Sequence, residues 1–455
     1  MTTVDRPPAE NGAGSSATGP APSHADWVAR DAAVVWHGFT QMAAYADNQP
    51  IVVDHGDGRE LVDVDGVRYL DAISSLWVTT LGHRVPELDA AARAQLDRVA
   101  HSTLLGNGNR TTIELAEALA PRVPVPHPHF LFASDGAAAV EQALRIAFQY
   151  WPNQGVHGRT RYLALGGAYH GDTIGALSVG AGGFGTDVYD PLRFPVLRTP
   201  GYDDPDWADA AISQLEAHAH ELAAAVVEPL VQGAAGIQVT DPASVQRFGD
   251  ACRRLGVLLV VDEVATGFGR TGTLFASEQC GLVPDLMTIG KGLTGGYLAM
   301  AATVAAPHVY EAFLGADLSE RTLYHGHSFS GNALAAAVAL RHLELIDEWD
   351  VLANVTERAD QLGARLTDDV MSRPTVRQVR RRGLMAGVEL APPRADLRWG
   401  RQVCAATVRR GVLLRPLGDV VVLMPMLTST ADEIDTIVDV LVEALDEVGG
   451  ADTHP

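Results

Sequence analysis

Between residues 87 and 345 of this 455-residue chain, short apolar runs alternate with stretches of helical period, and that alternation constrains the fold most strongly. "HFLFAS", "RYLAL", "AAAVVEP", "GVLLVVDE", "DLMTIG" and "AMAATVA" are strand-length, and stretches such as "VEQALRIAFQYW" separate them. Strands that are apolar throughout are buried on both faces, and helices between them supply the cover, so an α/β fold with a mostly parallel sheet is expected. In such a sheet, ligands sit beyond the carboxyl ends of the strands. Upstream, "PIVVDHGDGRELVDVDGVRYLDA" alternates apolar and polar residues between Asp-Gly turns, which reads as a small meander. After residue 345, amphipathic helices and apolar strands run to "VEALDEVGG" and read as a smaller lobe. Residues 1–24 are rich in Pro, Gly, Ser and Ala without periodicity, the composition of a disordered tail.

One strand ends on two acids. "GVLLVVDEVATGFGRTG" carries Asp262 and Glu263, then a literal G-x-G-x-x-G at Gly267, Gly269 and Gly272. In a dinucleotide fingerprint the first glycine closes the strand directly and a packed helix follows. Here five residues intervene and "TLFASEQCGLVPD" is a poor crossover helix, so the match reads as an irregular glycine-rich loop. A P-loop is excluded at "DLMTIGKG", which has Asp285 in place of the first glycine and Gly292 in place of Ser or Thr.

The acid has a better partner at the end of the next strand, where Lys291 stands in "GKGLTGG". A lysine buried beside a cofactor has its pKa lowered and becomes a Schiff-base nucleophile. A nearby carboxylate holds a pyridinium nitrogen protonated. Taken singly, Asp262 also reads as a helix cap and Lys291 as a solvated loop residue. Four further features join them: the strand-to-helix turn Ser134-Asp135-Gly136, whose free N–H groups at Gly136 and Ala137 make an anion site; Tyr169 and His170 in "GGAYHGDT"; Glu228 and Gln232 in "VVEPLVQG"; and Ser328 in "HGHSFSGN". His325 and His327 lack a third ligand at recognisable spacing, so no metal is expected. The net charge of −22 disfavours nucleic acid or an anionic membrane as partner. Three scattered cysteines, no ~20-residue apolar run and no secretory pattern point to a reducing cytoplasm.

As an ordered set, D-G-A-x-A-V-E, G-x-Y-H-G-D-T, E-P-x-x-Q-G, D-E-V-x-T-G-F-G-R-T-G, G-K-x-x-x-G-G and H-G-x-S-F-x-G-N resemble the class III, fold type I, pyridoxal 5'-phosphate aminotransferases over nearly the whole chain beyond the tail. The resemblance implies a large cofactor-binding domain at 87–345 and a small α+β domain made of 25–86 and 346–455. It implies that Lys291 binds the cofactor aldehyde, Asp262 the pyridine nitrogen, and Gly136 and Ala137 the phosphate, while Tyr169 stacks on the ring. His327 is assigned to the cofactor as well. Ser328, usually Thr, reaches the neighbouring subunit's phosphate, so a homodimer with shared sites is implied. Ala137 departs from the common serine, leaving the phosphate to backbone N–H groups there.

Within the family, "WHGFTQM", "DAISSLWVTTLGH", "HSTLLG", "AFQYW" and "LLRPLGDVVVLMP" are similar to the branch that aminates 8-amino-7-oxononanoate in biotin synthesis. That likeness assigns Arg415 to the substrate carboxylate, which a guanidinium reads bidentately, and gives Phe39, Leu76, Trp77, Tyr169 and Gly326 to the substrates. It implies ping-pong kinetics, with Lys291 as general base and then acid. Phe39 stands where a tyrosine is usual, and Leu76 where the first of two tryptophans is usual, in users of S-adenosylmethionine. Lysine is therefore favoured as the amino donor, with S-adenosylmethionine as the alternative if both changes are neutral. The alternatives are another ω-aminotransferase of the family, a nicotinamide-dependent oxidoreductase, and a non-catalytic cofactor-binding scaffold, the last needing a broken Lys291 or Asp262.

Overall fold

The structure, a computed structural model, describes residues 22–183 and 185–451. The tail reading lies outside the described residues up to position 21. It needs correction at its end, because His24 already begins a helix, His24–Val34, with Ser23 as its N-cap. Ser23 caps it in a reciprocal box with Asp26, satisfying N–H groups that would otherwise be orphaned. Contacts divide the described chain into two compact units, one up to His55 with Val62–Val67 and the other comprising the remainder. The first holds the His24–Val34 helix and two short 3₁₀ turns. Asp31 accepts hydrogen bonds there from Tyr45 and His37, whose rings stack at 4.7 Å.

The second unit is built on a seven-stranded sheet. Its strands are β1 (His129–Ala133), β2 (Arg161–Leu165), β3 (Leu197–Thr199), β4 (Leu222–Val227), β5 (Leu258–Asp262), β6 (Leu286–Ile289) and β7 (Ala301–Ala305), in spatial order β1-β7-β6-β5-β4-β2-β3. All are parallel except β7, which runs against both β6 and β1. The central strands β4, β5 and β6 are buried at every position, which is why their sequences show no polar alternation. Helix α1 (Gly136–Asn153) follows β1, and α2 (Pro242–Leu255) joins the β4 side of the sheet to β5. Asp135 and Asp241 cap their N-termini, and Gly256, at φ +62°, ends α2 in the left-handed conformation before β5 begins.

A second sheet is antiparallel: β8 (Val376–Arg382), β9 (Met385–Leu390), β10 (Arg415–Leu417) and β11 (Val420–Leu423), in the order β8-β9-β11-β10. Strand Arg68–Asp71 pairs in parallel with Val412–Leu413, so sequence-distant segments share one sheet and one apolar cluster, from Leu70 and Leu81 to Val403 and Leu423. Among the described residues, no helix is long and apolar enough to cross a membrane.

Candidate active site

β5 ends on Asp262, which pairs in register with Thr288 of β6, and Lys291 follows β6 by two residues. The expected juxtaposition at adjacent strand ends is therefore present. Asp262 Oδ2 accepts a 2.7 Å hydrogen bond from His170 Nδ1, and Oδ1 accepts from Thr288 Oγ1 at 2.9 Å and from the Val264 N–H at 3.0 Å. His170 is buried; burial works against its charged form, but the Asp262 hydrogen bond and charge carry its pKa upward. Lys291 is half-buried by residue surface, and its amine sits 5.4 Å from the Trp77 ring centroid. Burial of the amine lowers its pKa, opposed by the charges of Asp262 and Glu228. No direct ion pair joins Lys291 to either acid among the described residues.

Glu228, just past β4, is buried and accepts from the Tyr169 N–H at 3.0 Å and the Gly233 N–H at 3.3 Å. Burial raises its pKa to about 7. Gln232 ties the neighbouring loops together, donating to Gly166 O at 2.8 Å and accepting from Tyr202 N at 3.1 Å. The polar pair flagged at this strand end thus fixes the backbone that carries half-buried Tyr169, whose phenol is pushed up in pKa by burial and then by Asp172.

At the start of α1, Asp135 takes the Ala138 N–H at 2.9 Å, which leaves Gly136 and Ala137 as the outward donors of the first turn. Crowding explains the small residues here. A Cβ on Gly136 would lie 2.6 Å from Val264 Cγ1, and one on Gly171 (φ +120°) 2.4 Å from Ala137 Cβ. These features fit pyridoxal phosphate: a backbone anion cradle, a buried carboxylate, and a buried amine that meets that carboxylate only through space. The buried Trp77 Nε1 and His170 Nε2 also lack hydrogen-bond partners among the described residues.

Trp77 reaches this cluster, its indole packing beside Gly233, where an added Cβ would meet it at 3.1 Å. Leu76, next to it, is exposed. Phe39 belongs to the other compact unit and is exposed. Arg415 opens β10, exposed and without an ion-pair partner among the described residues. Gly326 and Ser328 are exposed and His327 half-buried, in a segment tied to His101, whose Nε2 lies 2.7 Å from Ser328 O. The structure does not join these last four residues to the Asp262–Lys291 cluster.

The glycine-rich loop has a structural job. No long helix follows it, only Ala276–Gln279. Glu263 accepts from Thr266 Oγ1, the Ala276 and Ser277 N–H groups and Ser277 Oγ at 2.5–3.1 Å. Buried Arg270 donates to Pro425 O at 2.6 Å and Thr79 O at 2.9 Å. Sequence reasoning missed Thr288, whose only signal was a hydroxyl inside an apolar strand. It also noted His170 without a role, because its bond to Asp262 spans 92 positions.

The family model for class III aminotransferases matches residues 41–445. The chain is 46% identical over 430 residues to the adenosylmethionine-8-amino-7-oxononanoate aminotransferase of Nitratidesulfovibrio vulgaris, covering 90% of this chain and 79% of that one. It is 40% identical over 441 residues to the enzyme of that name from Anoxybacillus flavithermus, covering 93% and 97%. The crystal structure of the Methanocaldococcus jannaschii enzyme of the same name superposes with a TM-score of 0.89 at 35% identity, over 92% of this chain and 98% of that one. An amine transaminase from an uncultivated Pseudomonas species, solved in its PLP-bound form, superposes with a TM-score of 0.85 at 33% identity, over 91% and 99%. With the motifs, the parallel sheet, and Asp262 and Lys291 at adjacent strand ends, the chain belongs to the class III aminotransferases.

Proposed function

We propose that this chain binds pyridoxal 5'-phosphate and aminates 8-amino-7-oxononanoate to 7,8-diaminononanoate. The Asp262–Lys291 arrangement carries the transamination, and relatives named for that substrate that align over nine-tenths of this chain support the choice of acceptor. Bound in this site, the cofactor supplies an aldehyde that captures amines and a ring that accepts electron density. Gly136 and Ala137 hold its phosphate, Tyr169 covers its ring, and Asp262, braced by His170 and Thr288, holds a proton at its ring nitrogen. Lys291 Nζ, its charged form disfavoured by burial, would take the proton from the donor's α-carbon and deliver it to the cofactor C4′. Arg415 reads the far carboxylate of the acceptor, and Trp77 lines its chain.

For the donor, the names of the relatives favour S-adenosylmethionine over the lysine expected from Phe39 and Leu76. A cytoplasmic homodimer completes the reading. Exposed Leu76, Leu105, Tyr324 and Phe329 provide apolar surface for a second copy to cover, and Gly326, His327 and Ser328 would then serve the partner's site. Residues 87–345 form the cofactor domain, and 25–86 with 346–455 the small one. The test is to supply cofactor, donor and 8-amino-7-oxononanoate and to look for the diamine by mass spectrometry. No diamine with either donor refutes the acceptor assignment.

A further inference from the structure

The turn Ser74–Trp77 is held in a conformation that side chains rarely adopt. Ser74, Ser75 and Trp77 have φ of +54°, +60° and +66°, and ψ of Ser75 is −86°. Left-handed backbone at three non-glycine residues out of four is costly and persists only where surroundings over-determine it. The chief restraint is Asp71, at the end of strand Arg68–Asp71, whose side chain is fully buried. Its Oδ1 accepts from the Ile73 N–H at 3.3 Å, and its Oδ2 from the Ser75 N–H at 2.8 Å and from His83 Nε2 at 3.0 Å. His83 is itself wedged, since a Cβ on Gly56 would overlap its Cβ at 2.4 Å. Ser74 Oγ donates to Met424 O at 2.7 Å, and Ser75 Oγ meets Thr79 Oγ1 at 3.1 Å. What the turn delivers is the Trp77 indole, between Gly233 and the Lys291 amine.

We propose that Asp71, latched to His83, is a positioning residue that keeps the strained Ser74–Trp77 turn closed so that Trp77 stands against Lys291 before substrate arrives. This rests on the aminotransferase reading. Asp71 touches no reacting atom. Its contribution is the preorganised wall, and loss of that wall falls on KM more than on kcat.

The test is a double-mutant cycle on the holoenzyme, using whichever acceptor the wild type turns over. Should 8-amino-7-oxononanoate not be that acceptor, the substrate assignment fails while the latch stays testable with another. Asp71→Asn keeps one accepting oxygen and loses the other. The expected result is a fall in kcat/KM of about 10- to 100-fold, mainly in KM, with cofactor absorbance retained. Trp77→Ala alone lowers kcat/KM similarly, and Asp71→Asn added to it costs nothing further. Additive losses, or wild-type kcat/KM in Asp71→Asn, overturn the proposal. Should Asp71→Asn fail to fold, Ser75→Gly decides, because glycine tolerates this backbone and merely loosens the turn. Reduced kcat/KM with an unchanged Tm supports the latch, and wild-type kcat/KM overturns it.

Discussion

Asp262→Asn separates charge from shape at the centre of the site. Thr288 Oγ1 and the Val264 N–H both donate to Oδ1, so an asparagine keeps these bonds through its oxygen. Its amide nitrogen replaces Oδ2 and donates to His170 Nδ1, which accepts it only when the imidazole is neutral. In the wild type the His170 pKa is raised, so the pair contributes stability that is fully present below about pH 6.5 and is lost as pH rises through the elevated value. In the variant the Asp262 hydrogen bond and charge are gone, so burial and the Arg198 charge oppose the imidazolium against Glu228 alone, and protonation now destabilises the fold. At pH 5.5 the variant is expected to lose about 3–5 kcal/mol, the scale for breaking a buried pair. Above the elevated His170 value, where the imidazole is neutral in both proteins, the difference falls to about 1 kcal/mol, one neutral hydrogen bond. Thermal unfolding across this pH range reads the gap, and a gap independent of pH refutes the coupling. The donor half-reaction, followed by stopped-flow absorbance, should slow by at least about 10²- to 10³-fold; a wild-type rate would show that Asp262 does not hold the ring proton.

Lys291→Ala should abolish transamination while keeping the fold and some cofactor binding, since the side chain it truncates makes no ion pair among the described residues; retained turnover in a coupled assay ends its assigned role. Arg415→Ala should weaken the keto-acid half-reaction by about 2–4 kcal/mol, and an unchanged apparent affinity for 8-amino-7-oxononanoate would show that another group reads the carboxylate. Gly136→Ala forces a methyl to within 2.6 Å of Val264 Cγ1, so the affinity for cofactor, measured by fluorescence titration, should fall, and equal affinity would remove the α1 N-terminus from the phosphate site. Mixing the yellow enzyme separately with S-adenosylmethionine and with lysine should bleach it with the first; bleaching with lysine alone would restore the preference read from Phe39 and Leu76.

Six of the seven sheet strands and the Asp262–Lys291 pair were legible because each depends on local pattern, whereas the three-residue edge strand β3 (Leu197–Thr199) was too short to read. The glycine-rich loop was set apart from a dinucleotide site on spacing and on the lack of a crossover helix after it, and only the short helix Ala276–Gln279 follows. Sequence did not show that Glu263 and Arg270 serve that loop's own anchoring, because their partners are backbone groups such as Pro425 O and Thr79 O. The roles of His170, Thr288 and Asp71 were hidden for a different reason, the geometry of the fold. The first two meet Asp262 only when β5, β6 and the Tyr169 loop converge, and Asp71 matters through three positive φ angles that "SSLW" does not announce. Ser23, within what composition marked as tail, forms with Asp26 just beyond it a readable capping box.

The central claim, that Lys291 and Asp262 serve transfer of an amino group to 8-amino-7-oxononanoate, is tested most directly by a two-stage spectrum of the purified holoenzyme. Excess amino donor is added and removed, and the keto acid is then supplied while the visible absorbance is followed and the products are analysed by mass. The account predicts that the donor bleaches the enzyme and that 8-amino-7-oxononanoate restores the colour with one equivalent of 7,8-diaminononanoate per site, whereas Lys291→Ala does neither. An enzyme that bleaches with donor but regains no colour and yields no diamine with this keto acid, while another carbonyl acceptor restores it, would contradict the account.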